Sequence, residues 1–226
     1  FGFSVQKDLA DLCRKTSLFA LPPERIWGEF EKLLLLAPIP SVGWALAGEL
    51  GVLDKVLPDL AQLPSGPIEQ ALNRAADRRS GIEARGRKVA LMMSALLHTA
   101  GVHQVEATLE RLDLHRLYGY PVRKRVNEVN VRWSQLKVPV TDTVLRRLAE
   151  ETEVLLVAET AYAATGENAA LANLDRAFRL GIGSEPMPVL VKGRDLGQFG
   201  LTPGPEMGTL LGQVREAQLD GEIDDR

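Results

Sequence analysis

The chain has 226 residues, of which 45% are hydrophobic and 25% are charged, a composition typical of a globular protein with a sizeable core. Its longest apolar run, residues 33–38, is far too short to span a bilayer, and the single cysteine, Cys13, excludes an intramolecular disulfide. We therefore expect a cytoplasmic protein with no membrane partner. The net charge of −3 argues by itself against nucleic-acid binding, so such a role depends on where the charges lie.

Apolar residues recur with helical spacing along almost the whole chain, and no stretch alternates for long with a period of two. The predicted helices cover, in chain order, residues 5–15, 22–36, 40–50, 68–79, 82–98, 105–114, 121–136, 141–151, 153–164, 167–180 and 205–217. The helix over 82–98 is strongly apolar and should be the most buried, while the only extended piece predicted lies at 189–191. The fold class that follows is all-α.

Two segments after residue 20 have the sequence pattern of helices. Residues 22–34 read PPERIWGEFEKLL, in which a proline pair suits a helix start and apolar residues share one face. Residues 50–60 read LGVLDKVLPDL, with Gly51 placed to end the preceding helix. We predict that Trp27 and Trp44 lie in the core, because both fall in amphipathic helices.

A glycine- and proline-rich block, GRDLGQFGLTPGPEMGTLLG, occupies residues 193–212. Asp195 is placed to cap a short turn, Gly200 and Pro203 produce a bend, and Pro205 then begins a helix. A helix that starts after such a bend leaves backbone N–H groups free, which suits a phosphate. The apolar face of this helix is predicted to comprise Met207, Leu210, Leu211 and Val214.

These segments resemble the RNA-binding part of the tRNA nucleotidyltransferase and bacterial poly(A) polymerase superfamily. In that family an E-R-I-x-x-E-x-x-K-L-L helix precedes a helix ending in G-L-L-x-x-x-x-P-E-L, as at 22–34 and 50–60 here, with Asp59 in place of the usual Glu. The block at 193–212 is similar to the family's closing G-x-D-L…P-G-P-x-x-G-x-x-L motif. Between these blocks the chain matches only in its general pattern.

The resemblance implies an elongated multi-helical array in three segments. Residues 1–63 would be a neck remnant and RNA-binding segment, 64–150 a helical body with a degenerate HD-like region, and 151–226 a helical tail. The opening FGFSVQ, residues 1–6, resembles the junction that follows the family's nucleotide-reading residues. We therefore expect the α/β catalytic head to be absent from this chain.

The same resemblance implies that the intact enzyme adds CMP and AMP to tRNA 3′ ends. Its head would use Mg²⁺ with CTP and ATP in a two-metal nucleotidyl transfer. This chain lacks the Asp-x-Asp pair that would hold the metal ions. We expect it to be inactive alone, with no catalytic residue, no metal site and no cofactor, and with tRNA and its own N-terminal head as partners.

The charge distribution is uneven. Basic side chains outnumber acidic ones in residues 74–88 and 111–137, whereas acids concentrate in 150–153 and 220–225. Such a distribution suits a protein with one phosphate-facing surface, although solvated helix faces would look the same. The residues predicted to contact RNA are Arg78, Arg79, Arg85, Arg87, Lys88, Arg123, Lys124, Arg125, Lys192 and Arg194.

One turn combines aromatic and basic residues. Residues 117–125 read LYGYPVRKR, in which Tyr118 and Tyr120 directly precede three cations. Because stacking on an aromatic ring contributes about 1–3 kcal/mol per base, this is the best local candidate for RNA contact. Arg25 is instead predicted to pair with Glu29, one turn further along its helix.

Residues 96–101, LLHTAG, resemble the L-L-H-D-I-G-K segment of HD phosphohydrolases. Thr99 replaces the metal-binding Asp, so we predict either a degenerate remnant or a chance match. In both cases His98 should end a helix and make a local hydrogen bond.

Two rival functions remain open. The intact protein could be a poly(A) polymerase, or an enzyme that adds only part of the CCA end. Alternatively, the chain could be an inactive HD-like helical module that binds protein, which should show an exposed apolar patch. The sequence leaves nucleotide specificity and oligomeric state undetermined.

Overall fold

The computed structural model of the chain describes residues 5–18 and 20–223. Most of the FGFSVQ segment and the end of the acidic tail lie outside these residues. The described part is built of α-helices and two short 3₁₀ helices, Arg79–Gly81 and Trp133–Leu136, and contains no β-strand. The all-α prediction is confirmed.

The helices follow one another as an elongated array. They are α1 (Lys7–Lys15), α2 (Pro23–Leu36), α3 (Pro40–Glu49), α4 (Leu53–Val56), α5 (Pro58–Ala61), α6 (Ser65–Arg78), α7 (Arg85–Leu97), α8 (Val102–Arg111), α9 (Val122–Asn130), α10 (Asp142–Glu151), α11 (Val154–Thr165), α12 (Asn168–Arg179), α13 (Gly193–Gly197) and α14 (Pro205–Asp220). At the centre, α11 packs against α6, α7, α9, α10 and α12. None of the described helices is both long and apolar enough to cross a lipid bilayer.

The apolar residues of α7 explain its central position. Ten of its thirteen residues are buried, including every residue from Val89 to Leu97, so the prediction that this helix is the most buried is confirmed. One continuous hydrophobic core extends from Ile26 to Ile182. That core crosses both proposed segment boundaries, so the division into neck, body and tail stays a prediction.

The N-terminal helices pack around two tryptophans. Trp44 is buried and meets the ring of Phe30 edge to face at 6.5 Å, and Trp27 is buried nearby in the same core, as predicted. Gly51 ends the α3 region with a left-handed φ of +66°, as expected. Lys55 joins α1 to this unit by donating hydrogen bonds to three carbonyl oxygens at the C-terminal end of α1, where the helix dipole favours a cation.

Several predicted helix bounds are wrong for local reasons. The helix predicted over 121–136 ends at Asn130 and resumes only as a 3₁₀ turn at Trp133–Leu136. The helix predicted from residue 82 begins at Arg85, because Ala84 is extended, with φ −71° and ψ 119°. Pro58 separates α4 from α5, since the residue before a proline avoids helical angles. No strand forms at 189–191.

The glycine- and proline-rich block folds largely as predicted. Asp195 Oδ2 accepts a hydrogen bond from the backbone N of Lys192 at 2.8 Å and caps α13. Helix α14 begins at Pro205 but continues to Asp220, where Gly221 ends it with a φ of +79°. Its predicted apolar face is only partly covered, because Met207 is buried whereas Leu210 is exposed.

Candidate nucleic-acid interface

Two buried carboxylates near the start of α11 bind arginines predicted to face RNA. Glu153 directly precedes α11 and Glu159 lies within it, and their side chains are 6% and 4% exposed. Arg78 donates from Nε and Nη2 to both carboxylate oxygens of Glu159, at 2.8 and 2.7 Å. This bidentate pair joins α6 to α11. Its hydrogen bonds also raise the pKa of Arg78.

Glu153 collects three partners. Arg87 Nε donates to it at 2.6 Å, the Tyr120 hydroxyl donates at 2.6 Å, and Arg125 Nε lies 3.3 Å away. Burial raises the pKa of Tyr120, and the hydrogen bond to Glu153 raises it further. Arg87, Tyr120 and Arg125 therefore form an internal network that fastens α7 and α9 to α11.

Two further predicted RNA-binding arginines also have internal partners. Arg79 donates to the carbonyl oxygens of Leu34 and Ala37, at 2.6 and 2.7 Å, and so caps the end of α2. Arg123 binds Glu106 and Glu110, both at 2.6 Å, and joins α9 to α8. Their guanidinium groups already have acceptors within the protein, which weakens the case for phosphate contact.

Other predicted cations are turned towards solvent. Lys124 is 67% exposed, and its Nζ lies 3.7 Å from Glu128, a long and weak ion pair. Lys88 is half-buried in the first turn of α7 and has no ion pair or side-chain hydrogen bond among the described residues. That first turn contains no acidic residue. These lysines remain available to an anionic ligand.

Arg85 and Tyr118 form an exposed pair next to this turn. The Arg85 guanidinium carbon lies 4.6 Å from the centroid of the Tyr118 ring. Glu31 on α2 holds both side chains, accepting a hydrogen bond from the Tyr118 hydroxyl at 2.8 Å and pairing with Arg85 at 3.3 Å. Of the two tyrosines in the predicted RNA-contacting turn, Tyr118 is therefore the exposed one.

A tight hairpin turn presents Tyr118. Leu117 and Tyr120 exchange backbone hydrogen bonds of 3.0 and 2.8 Å, and φ is positive at both central residues, +52° at Tyr118 and +75° at Gly119. These angles are those of a type I′ turn. Gly86 lies against the turn, because a Cβ there would be 2.8 Å from the carbonyl oxygen of Leu117. The turn and the start of α7 are thus in direct contact.

The structure does not join the tail cations to this cluster. Lys192 and Arg194 are exposed at α13, with Arg194 Nε 3.7 Å from Asp195. Among the described residues, no ion pair or side-chain hydrogen bond links either of them to the cations of α7 and α9. The ten predicted residues thus divide among internal pairs, an α7–α9 surface and the separate α13 surface.

The groove between α6 and α11, of about 490 Å³, does not suit a phosphate. Its lining includes two guanidinium groups but four carboxylates, Asp77, Glu83, Glu159 and Asp175. Within residues 5–18 and 20–223, no three side chains of the metal-binding types come together. The described residues therefore do not fit the Mg²⁺ ions that the family resemblance implies for the head.

His98 lies at the end of α7 as predicted. Its Nδ1 is 2.8 Å from the carbonyl oxygen of Ala95, and its ring meets that of Trp133 at 5.7 Å, so the predicted local hydrogen bond is confirmed.

The predicted pair between Arg25 and Glu29 is wrong, because Glu29 binds Lys32 at 2.8 Å instead.

Sequence reasoning missed several residues that shape this surface. The sequence does not identify Glu31, Glu153 and Glu159 as ion-pair partners of the arginines. Glu153 and Glu159 lie 66 and 81 residues along the chain from the arginines that they bind. Arg116 could have been found, because it lies within the basic stretch and two residues before Tyr118. It is exposed and has no partner among the described residues.

The fold and the exposed cations define a class of protein, the all-α proteins with a candidate nucleic-acid-binding face. Residues 2–63 match the family model described as "Probable RNA and SrmB- binding site of polymerase A". The chain is also 28% identical over 223 residues to the CCA-adding enzyme of Streptococcus sanguinis (strain SK36).

That alignment covers 97% of this chain and 50% of the relative, so the chain spans about half the length of the curated relative that it matches. No solved structure matches the chain. Both matches support the resemblance to the RNA-binding part of the CCA-adding enzyme and poly(A) polymerase family that the sequence indicates.

Proposed function

We propose that this chain is the tRNA-binding part of a tRNA nucleotidyltransferase and grips the acceptor arm and T arm by duplex shape and phosphate charge. The head of the whole protein would add CMP and AMP to the tRNA 3′ end in the cytoplasm, using Mg²⁺ with CTP and ATP. This chain alone would bind the tRNA without transferring nucleotides.

The observation that carries the proposal is the similarity to a CCA-adding enzyme along 97% of the chain, together with the RNA-binding family match at its N-terminal end. The half-buried Lys88 and the exposed Lys124 lie on the neighbouring helices α7 and α9 and hold no strong internal ion pair, so both are available for phosphate contacts. Their positions support the α7–α9 surface as the part of the protein that contacts RNA.

A second contact is favoured by a different observation. Hydrophobic side chains, each more than half exposed, occur on α1 and around the junction of α2 and α3; they are Leu9, Leu12, Leu36, Ile39 and Val42. Exposed apolar surface of this kind marks protein interfaces. We propose that it packs against the protein's own catalytic head. In the intact protein, backbone amides of α1 and α3 should exchange more slowly than in this chain; equal rates would refute the contact.

The tRNA proposal is tested by binding of the whole chain to a tRNA that lacks its CCA end, across a salt series. Affinity should fall steeply with salt, because phosphate contacts release counterions. Lys88→Glu combined with Lys124→Glu should weaken binding and flatten the slope of log K against log salt by about 1 for each phosphate that is no longer neutralised. Neither lysine holds a strong internal ion pair, so the fold should survive.

The matched control is Lys137→Glu combined with Arg179→Glu, which changes the net charge equally at exposed positions outside both residues 2–63 and the α7–α9 surface. Equal losses in both double variants would show a non-specific charge effect. Absence of binding at low salt by a folded helical sample would overturn the proposal. Stronger binding to oligoadenylate than to tRNA would favour the poly(A) polymerase alternative.

A further inference from the structure

We propose that Tyr118 and Arg85 form a stacking platform for an unpaired nucleobase of the bound RNA. This inference rests on the proposed RNA-binding function and assigns a role to two particular side chains. Tyr118 is 56% exposed, and so is the side chain of Arg85. The two planar groups lie in contact at the surface, where a third planar group can extend the stack.

Both groups are held in place before any ligand arrives. The carboxylate of Glu31 is only 14% exposed, and it fixes the Tyr118 hydroxyl and the Arg85 guanidinium at the same time. Exposed side chains ordinarily sample several rotamers and lose that freedom on binding. Fixing the ring and the guanidinium in advance reduces this entropic cost for a stacked ligand.

The backbone of Tyr118 supports a role other than stability. Its φ of +52° is unfavourable for a residue with a Cβ, and the first central position of a type I′ turn prefers Asn, Asp or Gly. A tyrosine at this position is therefore less stable than any of those residues. A strained residue with an exposed ring is therefore better explained by contact with a ligand.

The surroundings suit a nucleotide more than an isolated aromatic ligand. Lys88 follows Arg85 by three residues and shares its helix face, and Arg116 precedes Tyr118 by two residues in the same loop. Neither cation has a partner among the described residues. Phosphates flanking a stacked base would find positive charge on both elements that carry the platform.

The base must be unpaired, because a base inside a duplex has both faces covered by its neighbours. Tyr120 cannot take this role. It is half-buried, and its hydroxyl is engaged by the internal carboxylate Glu153.

The test compares two probes, an RNA hairpin with a single-stranded 3′ overhang and the same hairpin with a blunt end. Tyr118→Asn removes the ring but prefers the left-handed backbone, so the urea midpoint should stay equal or rise. Affinity for the overhang probe should fall about 5- to 150-fold, the equivalent of one stacked base, while the salt slope stays unchanged. Arg85→Lys should also weaken binding, because it keeps the charge but loses the planar group.

Two comparisons make the outcome decisive. Tyr118→Phe retains the ring and should recover most of the affinity that Tyr118→Asn removes. Phe178→Asn removes another exposed aromatic ring and should leave binding unchanged. Equal binding of wild type and Tyr118→Asn would overturn the platform, as would an equal loss in Tyr118→Phe. If the wild-type chain binds neither probe nor tRNA, the proposed function fails instead.

Discussion

At the scale of single residues, the arginines divide by what faces their guanidinium groups. Arg78 and Arg87 face carboxylates that are almost fully buried, whereas Arg85 and Arg116 face solvent or an exposed ring. Removing one partner of a fully buried pair costs about 3–5 kcal/mol. The loss should be smaller here, because Arg78 is 40% exposed and Glu153 keeps Tyr120 and Arg125 when Arg87 is removed. Arg78 and Arg87 therefore stabilise the fold, whereas Arg85 and Arg116 are accessible to a ligand at the surface.

His98 should make stability depend on pH. Burial lowers the pKa of His98 below its ordinary value of about 6.5, and the nearby charge of Arg74 lowers it further. The unfolded chain then takes up a proton at a higher pH than the folded chain. The stabilisation is complete above the unfolded pKa and is lost as the pH falls towards the folded pKa.

We expect the free energy of unfolding to decrease as the pH falls through the ordinary histidine pKa of about 6.5, with a slope from this residue of at most about 1.4 kcal/mol per pH unit. His98→Asn retains a donor for the Ala95 carbonyl and should remove that slope in urea denaturation at several pH values. The exposed His103, changed to Asn, should leave the slope in place. A slope unaffected by His98→Asn would contradict the assignment.

At the scale of elements, the contact between α7 and the turn at Leu117–Tyr120 depends on one glycine. Gly86 is buried in the first turn of α7, and an added Cβ would overlap that of Tyr120. Backbone on the turn side closes the remaining space, so the neighbours cannot simply rotate away. The position of Tyr118 therefore depends on the absence of a side chain at residue 86.

Gly86→Ala should destabilise the protein by about 1–3 kcal/mol through overpacking. Gly28→Ala is the matched control, because residue 28 lies inside α2 with no atom within 4 Å of an added Cβ. That change should stabilise the protein by about 0.5–1 kcal/mol, since alanine is the better helix former. Urea denaturation measures both, and equal effects of the two substitutions would refute the packing explanation.

At the scale of the whole molecule, packing is densest at the centre and weakens towards both ends. Helices α7 and α11 are mostly buried, whereas α1 buries only Ala10 and α14 contacts chiefly α10 and α13. Exposed ion pairs, such as those of Arg147 with Glu216 and Asp220, contribute little free energy to the packing of α14 against α10. The terminal helices should therefore open without the core.

Hydrogen exchange measured by mass spectrometry should show this gradient. Amides in α7 and α11 should exchange only through global unfolding, while amides in α1, α13 and α14 should exchange through local opening at lower free energy. Low concentrations of urea should speed exchange in the core more than at the ends. Uniform protection along the chain would show that the array unfolds as one unit.

Most elements of this fold could be predicted because the signals are local. Proline and glycine mark the starts of α2 and α14 and the end of α3, and apolar periodicity identifies α7 and α11. The errors at the end of α9 and at the start of α7 each affect only the bounds of a helix. Periodicity continues past Asn130, yet the chain there tightens to bring Leu136 into the core.

The sequence by itself determined the all-α class, the resemblance to an RNA-binding family and the predominance of positive charge around α7 and α9. Only the tertiary structure decided which of those charges are available. Arg78 and Arg87 pair with carboxylates far away in the chain, whereas Lys88, Arg116 and the Arg85–Tyr118 pair remain at the surface. The physical reason is that helix formation depends on neighbouring residues, while the pairing of a charge depends on which distant side chain the fold brings within hydrogen-bonding distance.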